Sequence, residues 1–226
     1  MAKTLAMIHT VASIVASFNA LAKELLPEVA VFSVVDEGLL LRIIAEGKIT
    51  PAMCLRVVQL AANAQADGAD AILLTCSAMS PAVDLAAPLL SVPIFKVDQP
   101  MVEAALDAGE RIGVFSTVPA TLQSVGDLVR SVAASRGRRV EVVTELRTEA
   151  MAAARARRPD EHDTIVRAAL LDLSKRCDIL VVAQASAAQA LRPEDLPALA
   201  APVLTGPRLA MEKLQRELTL SQLVGD

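Results

Sequence analysis

Eight apolar runs, each five or six residues long, alternate with longer stretches of amphipathic character, and this alternation sets the strongest limit on how the chain can fold. The runs are "TLAMIH" (4–9), "VAVFSV" (29–34), "AILLT" (71–75), "VPIFKV" (92–97), "RIGVFS" (111–116), "RVEVVT" (139–144), "DILVVA" (178–183) and "APVLTG" (201–206). A strand with one wet face alternates apolar and polar residues, whereas a strand covered on both faces reads as a nearly continuous apolar run. The intervening stretches show apolar spacing of three and four, as in "PAMCLRVVQLAANAQADG" (51–68). There Pro51 follows Thr50 at the predicted helix start and Gly68 lies beyond its end, the positions where each residue fits a helix boundary. Strand and helix in strict alternation predict an α/β fold with mainly parallel sheets.

The second half of the chain echoes the first. Thr10-Val11 after the first run matches Thr117-Val118 after the fifth at an offset of 107 residues, and Pro93 matches Pro202 at an offset of 109. Ser77 and Ser186 also stand 109 residues apart. Four strands followed by four similar strands predict two pseudo-symmetric lobes, each a four-stranded sheet flanked by helices, with a cleft between them. The expected N-terminal lobe is residues 1–98 plus 207–226, and the C-terminal lobe is 99–206. The amphipathic segment "GPRLAMEKLQREL" (206–218) is expected to return to the first lobe.

Ligands of open parallel sheets bind beyond the carboxyl ends of the strands. The polar residues expected there are His9, Thr10 and Ser13; Asp36 and Glu37; Thr75, Cys76 and Ser77; Asp98 and Gln99; Ser116, Thr117 and Thr121; and Gln184 and Ser186. Each alone reads as turn or capping chemistry. Gathered on one rim, they predict a site for a small polar ligand.

Composition excludes other functions. Lys and Arg number 22 against 26 Asp and Glu, a net charge of −4, and aromatic residues make up only 2%. Neither a basic face for nucleic acid or anionic membrane nor a base-stacking surface is expected. No apolar run reaches the roughly 18–20 residues of a membrane span, and the N-terminal segment reads as a buried strand leading into a helix rather than a leader. Three cysteines without metal-ligand spacing suit a reducing cytosol, so a cytoplasmic protein without metal is expected. "GERIGVFS" lacks the third glycine of a dinucleotide fingerprint. His162 in "RRPDEHDT" and the basic stretches "RGRR" (136–139) and "RARR" (155–158) read as helix capping and solvated surface. The Ala-rich helices also suit a homo-oligomer.

Among the cysteines, Cys54 sits on an apolar helix face and Cys177 precedes a strand, both positions of a small core residue. Cys76 differs, since it follows a strand and begins the next turn, where backbone N–H groups favour a thiolate. The stretch "ADAILLTCSAMSPAVDLAAPLLSVPIFKVDQPMVEAAL", with "FSVVDEGLL", "RIGVFSTVPATL" and "ILVVAQASAAQAL", resembles the Asp/Glu/hydantoin racemase superfamily over nearly the whole chain. The resemblance implies two similar lobes, no cofactor, and a pair of cysteines facing across the cleft to remove and return a proton α to a carboxylate. It makes Cys76 the first of these, with Thr75 and Ser77 as carboxylate donors and Thr117 and Thr121 nearby. The second cysteine is absent: at an offset of 109 its place is Ala185, and a slip of one residue brings Gln184 or Ser186.

Three readings follow. Cys76 works with another rim group (His9, Asp36 or Asp98) in racemising or isomerising a small carboxylate, with Gln184 and Ser186 among the groups that hold it. Alternatively, Cys76 alone protonates the enediolate left by loss of CO₂ from a malonate-type acid. In the third, the cleft binds a small carboxylate without chemistry.

Overall fold

The computed structural model describes residues 3–223, and among them eight strands form two separate four-stranded sheets. The first sheet holds β1 (Thr4–His9), β2 (Ala30–Val35), β3 (Ala71–Leu74) and β4 (Ile94–Lys96) in the order β2-β1-β3-β4. The second holds β5 (Arg111–Ser116), β6 (Glu141–Leu146), β7 (Ile179–Val182) and β8 (Val203–Thr205) in the order β6-β5-β7-β8. Every pairing is parallel. All eight expected runs contain a strand, with ends displaced by a few residues. β4 and β8 are shorter than their runs because Pro93 and Pro202 lack an N–H for the ladder. Their carbonyls instead accept from Ile72 and Leu180 at 2.9 and 2.8 Å, so each proline stands just outside its strand.

The helices are α1 (Val15–Leu25), α2 (Glu37–Glu46), α3 (Pro51–Ala66), α4 (Ser80–Ala86), α5 (Gln99–Ala108), α6 (Pro119–Ser135), α7 (Thr148–Arg155), α8 (Pro159–Ser174), the single turn α9 (Ala185–Ala188), and α10 (Gly206–Leu223). Local chemistry sets their ends. The Thr50 side chain caps α3 by accepting from the Met53 N–H at 3.4 Å, with Pro51 following it. Asp36 caps α2, which ends at Gly47 in the left-handed region (φ 67°).

Each sheet is covered on both faces. On one face of the first sheet, Ala6, Ile8, Ile72 and Leu74 pack against Leu39, Ile43, Met53 and Val57, and Val118 and Ala120 of the second lobe extend this core across the lobe boundary. On the other face, Leu5, Met7 and Leu73 meet Phe18 of α1 and Met211, Leu214 and Leu218 of α10. The C-terminal helix therefore buries its apolar stripe on the first sheet, although the chain reaches it from the second. Residues 1–2 and 224–226 of the expected first lobe lie outside the described residues. The two crossovers touch: a Cβ at Gly206 would stand 2.8 Å from the Val97 carbonyl oxygen, so glycine permits the close passage. No helix among the described residues is long and apolar enough to cross a membrane.

Cys177 has a packing role. Its Sγ lies over the middle of β5, where a Cβ at Gly113 would stand 2.7 Å from it. The thiol also lies 3.3 Å from the Leu173 carbonyl, to which it donates. Gly113→Ala is therefore expected to destabilise the chain by about 1–3 kcal/mol in urea unfolding through overpacking. Adding Cys177→Ala, which removes the clashing sulfur, should recover part of that loss. A Gly113→Ala chain as stable as the parent would contradict the packing.

Candidate active site

The carboxyl ends of both sheets border one cavity of about 320 Å³. Thr10, Ser13, Glu37, Thr75, Cys76 and Ser77 line it from the first lobe, and Thr121, Arg155, Gln184 and Ser186 from the second.

Cys76 stands two residues beyond β3, at the start of the 3₁₀ turn Ser77–Met79 that leads into α4, in an extended conformation (φ −104°, ψ 102°). Burial pushes its thiol pKa above the ordinary value, against hydrogen bonds from the Thr10 hydroxyl and the backbone N–H groups of Met79 and Ala78, while the Asp98 carboxylate adds to the rise. Loss of solvation dominates, so the resting group at neutral pH is a thiol. These three groups still favour a thiolate when one forms.

The opposite position is occupied by an amide. Gln184 stands two residues beyond β7, before α9, in a similar extended conformation (φ −124°, ψ 127°). β3 and β7 begin at Ala71 and Ile179, an offset of 108 that carries Cys76 onto Gln184. This corrects the alignment at 109, which gave Ala185; the offset is 107 at β1 and β5, 111 at β2 and β6, 108 at β3 and β7, and 109 at β4 and β8. The Gln184 Oε1 accepts from the Thr117 N–H at 2.5 Å and the Thr117 hydroxyl at 2.9 Å, and the Ser116 hydroxyl is also 2.9 Å away. A backbone N–H only donates, so this atom is the carbonyl oxygen and the amide NH₂ is the free end. That nitrogen has no hydrogen-bond partner among the described residues. Thr10 thus serves Cys76 as Thr117 serves Gln184, yet one receives a thiol and the other an amide that does not titrate.

Of the residues expected at the site, Cys76, Thr75, Ser77, Thr121, Gln184 and Ser186 line the cavity, and His9, Asp36, Asp98 and Thr117 do not. Thr117 supports the wall through Gln184. Asp36 is held by its cap on Leu39 and by Arg56, whose Nη2 is 2.8 Å from Oδ1. His9 is fully buried, edge-on to Phe18 with ring centroids 5.5 Å apart. Its Nδ1 is 2.9 Å from the Thr75 hydroxyl, which itself donates to the Ile8 carbonyl at 3.1 Å. One hydroxyl proton serves one acceptor, so Nδ1–H is the donor in this pair and Nε2 is left unpartnered. Burial lowers the His9 pKa to about 4, which keeps the ring neutral at pH 7. Asp98 is also fully buried, its two oxygens 2.7 and 2.8 Å from the Ser80 hydroxyl. It influences the cavity through its charge on Cys76.

Arg155 is the functional candidate that the sequence concealed. Its guanidinium, exposed at the cavity wall, has no ion pair or hydrogen bond among the described residues. In sequence it belongs to a basic run at the end of an Ala-rich helix, and only the placement of α7 beside the second sheet brings it to the cleft. No group of three His, Cys, Asp or Glu residues that could hold a metal occurs among the described residues.

Residues 6–214 match the family described as Asp/Glu/Hydantoin racemase. The fold is similar to glutamate racemase of Francisella tularensis, solved with D-glutamate (TM-score 0.76, 15% identity, 98% of this chain and 83% of that chain). It is also similar to aspartate racemase of Picrophilus torridus (TM-score 0.74, 11% identity, 94% of each chain) and to allantoin racemase of Klebsiella pneumoniae (0.65, 14%, 97% and 89%). At these identities the likeness concerns the fold alone. No curated protein sequence matches the chain.

The two buried ionisable groups behind the cavity oppose each other with pH. Burial raises the Asp98 pKa from 3.8 to about 6, so the folded chain holds that proton more tightly, and the associated stability is lost as pH rises through this window. His9 is shifted from 6.5 to about 4, so stability is lost as pH falls through its window. Asp98→Asn, which removes the buried charge, is therefore expected to exceed the parent in stability at pH 8, with the advantage shrinking towards pH 4. Urea titrations across this range measure it, and a difference independent of pH would contradict the assignment.

Proposed function

The chain belongs to the Asp/Glu/hydantoin racemase family, and from that premise we propose that it is a cofactor-independent isomerase in which Cys76 transfers the proton α to the carboxylate of a small organic or amino acid. The observation that carries this reading is the pairing of Cys76 with Gln184 on opposite walls. Cys76 is the buried ionisable group of the cavity, whereas Glu37 and Arg155 are exposed. The substrate carboxylate is held by Arg155, the Gln184 NH₂ and the hydroxyls of Thr121 and Ser186. These groups stabilise the negative charge that moves into the carboxylate as the α-proton leaves. The thiolate form of Cys76 takes that proton and becomes the thiol, and the same thiol returns it to the planar enediolate. Gln184 offers no proton of suitable acidity on the other face, so return by the cysteine restores the starting enantiomer. Inversion is completed more slowly, by a solvent proton added to the enediolate from the Gln184 side.

A second reading rests on the resting thiol. A protonated group on one face is also what a carbanion needs after loss of CO₂, and CO₂ release from a 2-substituted malonate would identify that reaction.

In D₂O, the protein is expected to wash deuterium into the α-position of a small aliphatic acid. Cys76→Ala should lower that rate by about 10²–10⁴-fold, the usual range for removing a general acid–base group, while carboxylate binding persists. Thr10→Val removes a hydrogen bond that favours the thiolate, so the thiol pKa rises further and the rising limb of the exchange rate moves to higher pH. NMR or mass spectrometry follows both. Exchange that survives Cys76→Ala unchanged would overturn the assignment of the cysteine.

A further inference from the structure

A second chamber of about 590 Å³ opens from the one that holds Cys76 and shares Ser13, Met151, Ala154 and Ser186 with it. Arg157, His162 and Asp163 line its outer part. Arg157 is the residue whose presence local stability does not explain. It closes the C-terminal end of α7 in the left-handed region, with φ of 57°. Its N–H donates to the Ala154 carbonyl at 3.0 Å, and the next N–H donates to the Ala153 carbonyl at 2.9 Å. Such a helix end favours glycine, because a Cβ is strained there. The other positive-φ residues among those described are Gly47, Gly68 and Gly137. Gly47 ends α2, the counterpart of α7 in the first lobe. The second lobe therefore carries an arginine where the first carries the residue that suits the backbone.

Nothing among the described residues accounts for that side chain. The neighbouring Arg158 is neutralised by Glu161 at 2.6 Å, and Arg167 stands 3.8 Å from Asp163. The Arg157 guanidinium has neither an ion pair nor a hydrogen bond among the described residues. The carboxylate in the chamber is already committed: Asp163 lies 2.9 Å from the Nδ1 of His162 as well as near Arg167. The His162 Nε2 is without a partner among the described residues. Strain retained at a cavity wall, with an unpaired cation as its only product, is a mark of ligand contact.

We propose that the outer chamber binds the distal anionic group of an extended substrate. One carboxylate lies beside Cys76, and a second, at the far end of the chain, meets Arg157 and His162. The inner chamber already has room for a compact amino acid, whereas the two chambers together suit a longer acid. The placement of the reacting end rests on the function proposed above; the outer anion site does not depend on chemistry at Cys76.

Calorimetric titration of the intact protein with α,ω-dicarboxylates from succinate to azelate, each beside the monocarboxylate of equal chain length, tests this. The diacids longer than glutarate are expected to bind at least about fivefold tighter than their monocarboxylates, the scale of a partly exposed charged pair. Arg157→Gly should abolish that preference, leave monocarboxylate binding unchanged, and raise the melting temperature by about 2–4 °C as the strain is released. The gain in stability excludes misfolding as the cause of the lost preference. Diacids that bind no better than monocarboxylates, a preference that peaks at succinate or glutarate, or a preference that survives Arg157→Gly would each overturn the outer site. Monocarboxylate binding without a diacid preference leaves the isomerase reading standing. Binding of neither class overturns both, and a diacid preference without α-proton exchange retains the outer site and removes the isomerase.

Discussion

The site is set by the register between the first and third strands of each sheet. In the first lobe, Ile8 pairs with Leu74 and its carbonyl receives the Thr75 N–H at 3.0 Å, which brings the Thr10 hydroxyl to Cys76. In the second, Phe115 pairs with Val182 and accepts the Ala183 N–H at 3.0 Å, bringing Thr117 to Gln184. Strand side chains alternate between faces, so a slip of one residue in either pair would turn the functional side chain away from its threonine. The fully buried segments β3 and β7 hold this register, since a slip would also disrupt the apolar contacts on both faces.

The same architecture explains why buried ionisable groups lie so close to the cavity. Parallel strands end together, and the polar residues just after them have little solvent once helices cover both faces. Cys76 and Asp98 are shifted towards their neutral, protonated forms, and His9 towards its neutral, unprotonated form, in each case first by burial. Hydrogen bonds moderate these shifts for Cys76 and Asp98. A thiol in such a place holds its proton until a substrate changes the local charge, and the exposed Arg155 offers the countercharge for an incoming carboxylate.

Much of the fold was legible because two-sided burial writes itself into sequence as continuous apolar runs. Pro93 and Pro202 even mark the entries to β4 and β8, where a missing N–H does no harm. Cys76 was legible for a related reason, since a strand followed by a turn forecasts its position. Gln184 was not fixed in the same way: the offset between lobes varies from 107 to 111 among the four strand pairs, and sequence matches at 107 and 109 straddle the value of 108 that matters. His9, Asp36 and Asp98 lie at strand ends as expected, but their side chains serve the interior or a helix cap. Arg155 and Arg157 were hidden by their setting in a basic run, whose meaning depends on the tertiary placement of α7 and on a single left-handed residue.

One-faced proton transfer by a thiol opposite an amide is tested most directly by stereochemistry. A single resolved enantiomer of an exchanging acid is incubated in D₂O, and chiral chromatography with mass spectrometry separates deuterium incorporation with retention from inversion. Incorporation with retention is expected to exceed inversion by at least about tenfold, equivalent to ~1.4 kcal/mol between the two barriers. Inversion as fast as deuterium incorporation from the first turnovers would show that a second acid–base group works on the Gln184 side, and would contradict the one-faced site.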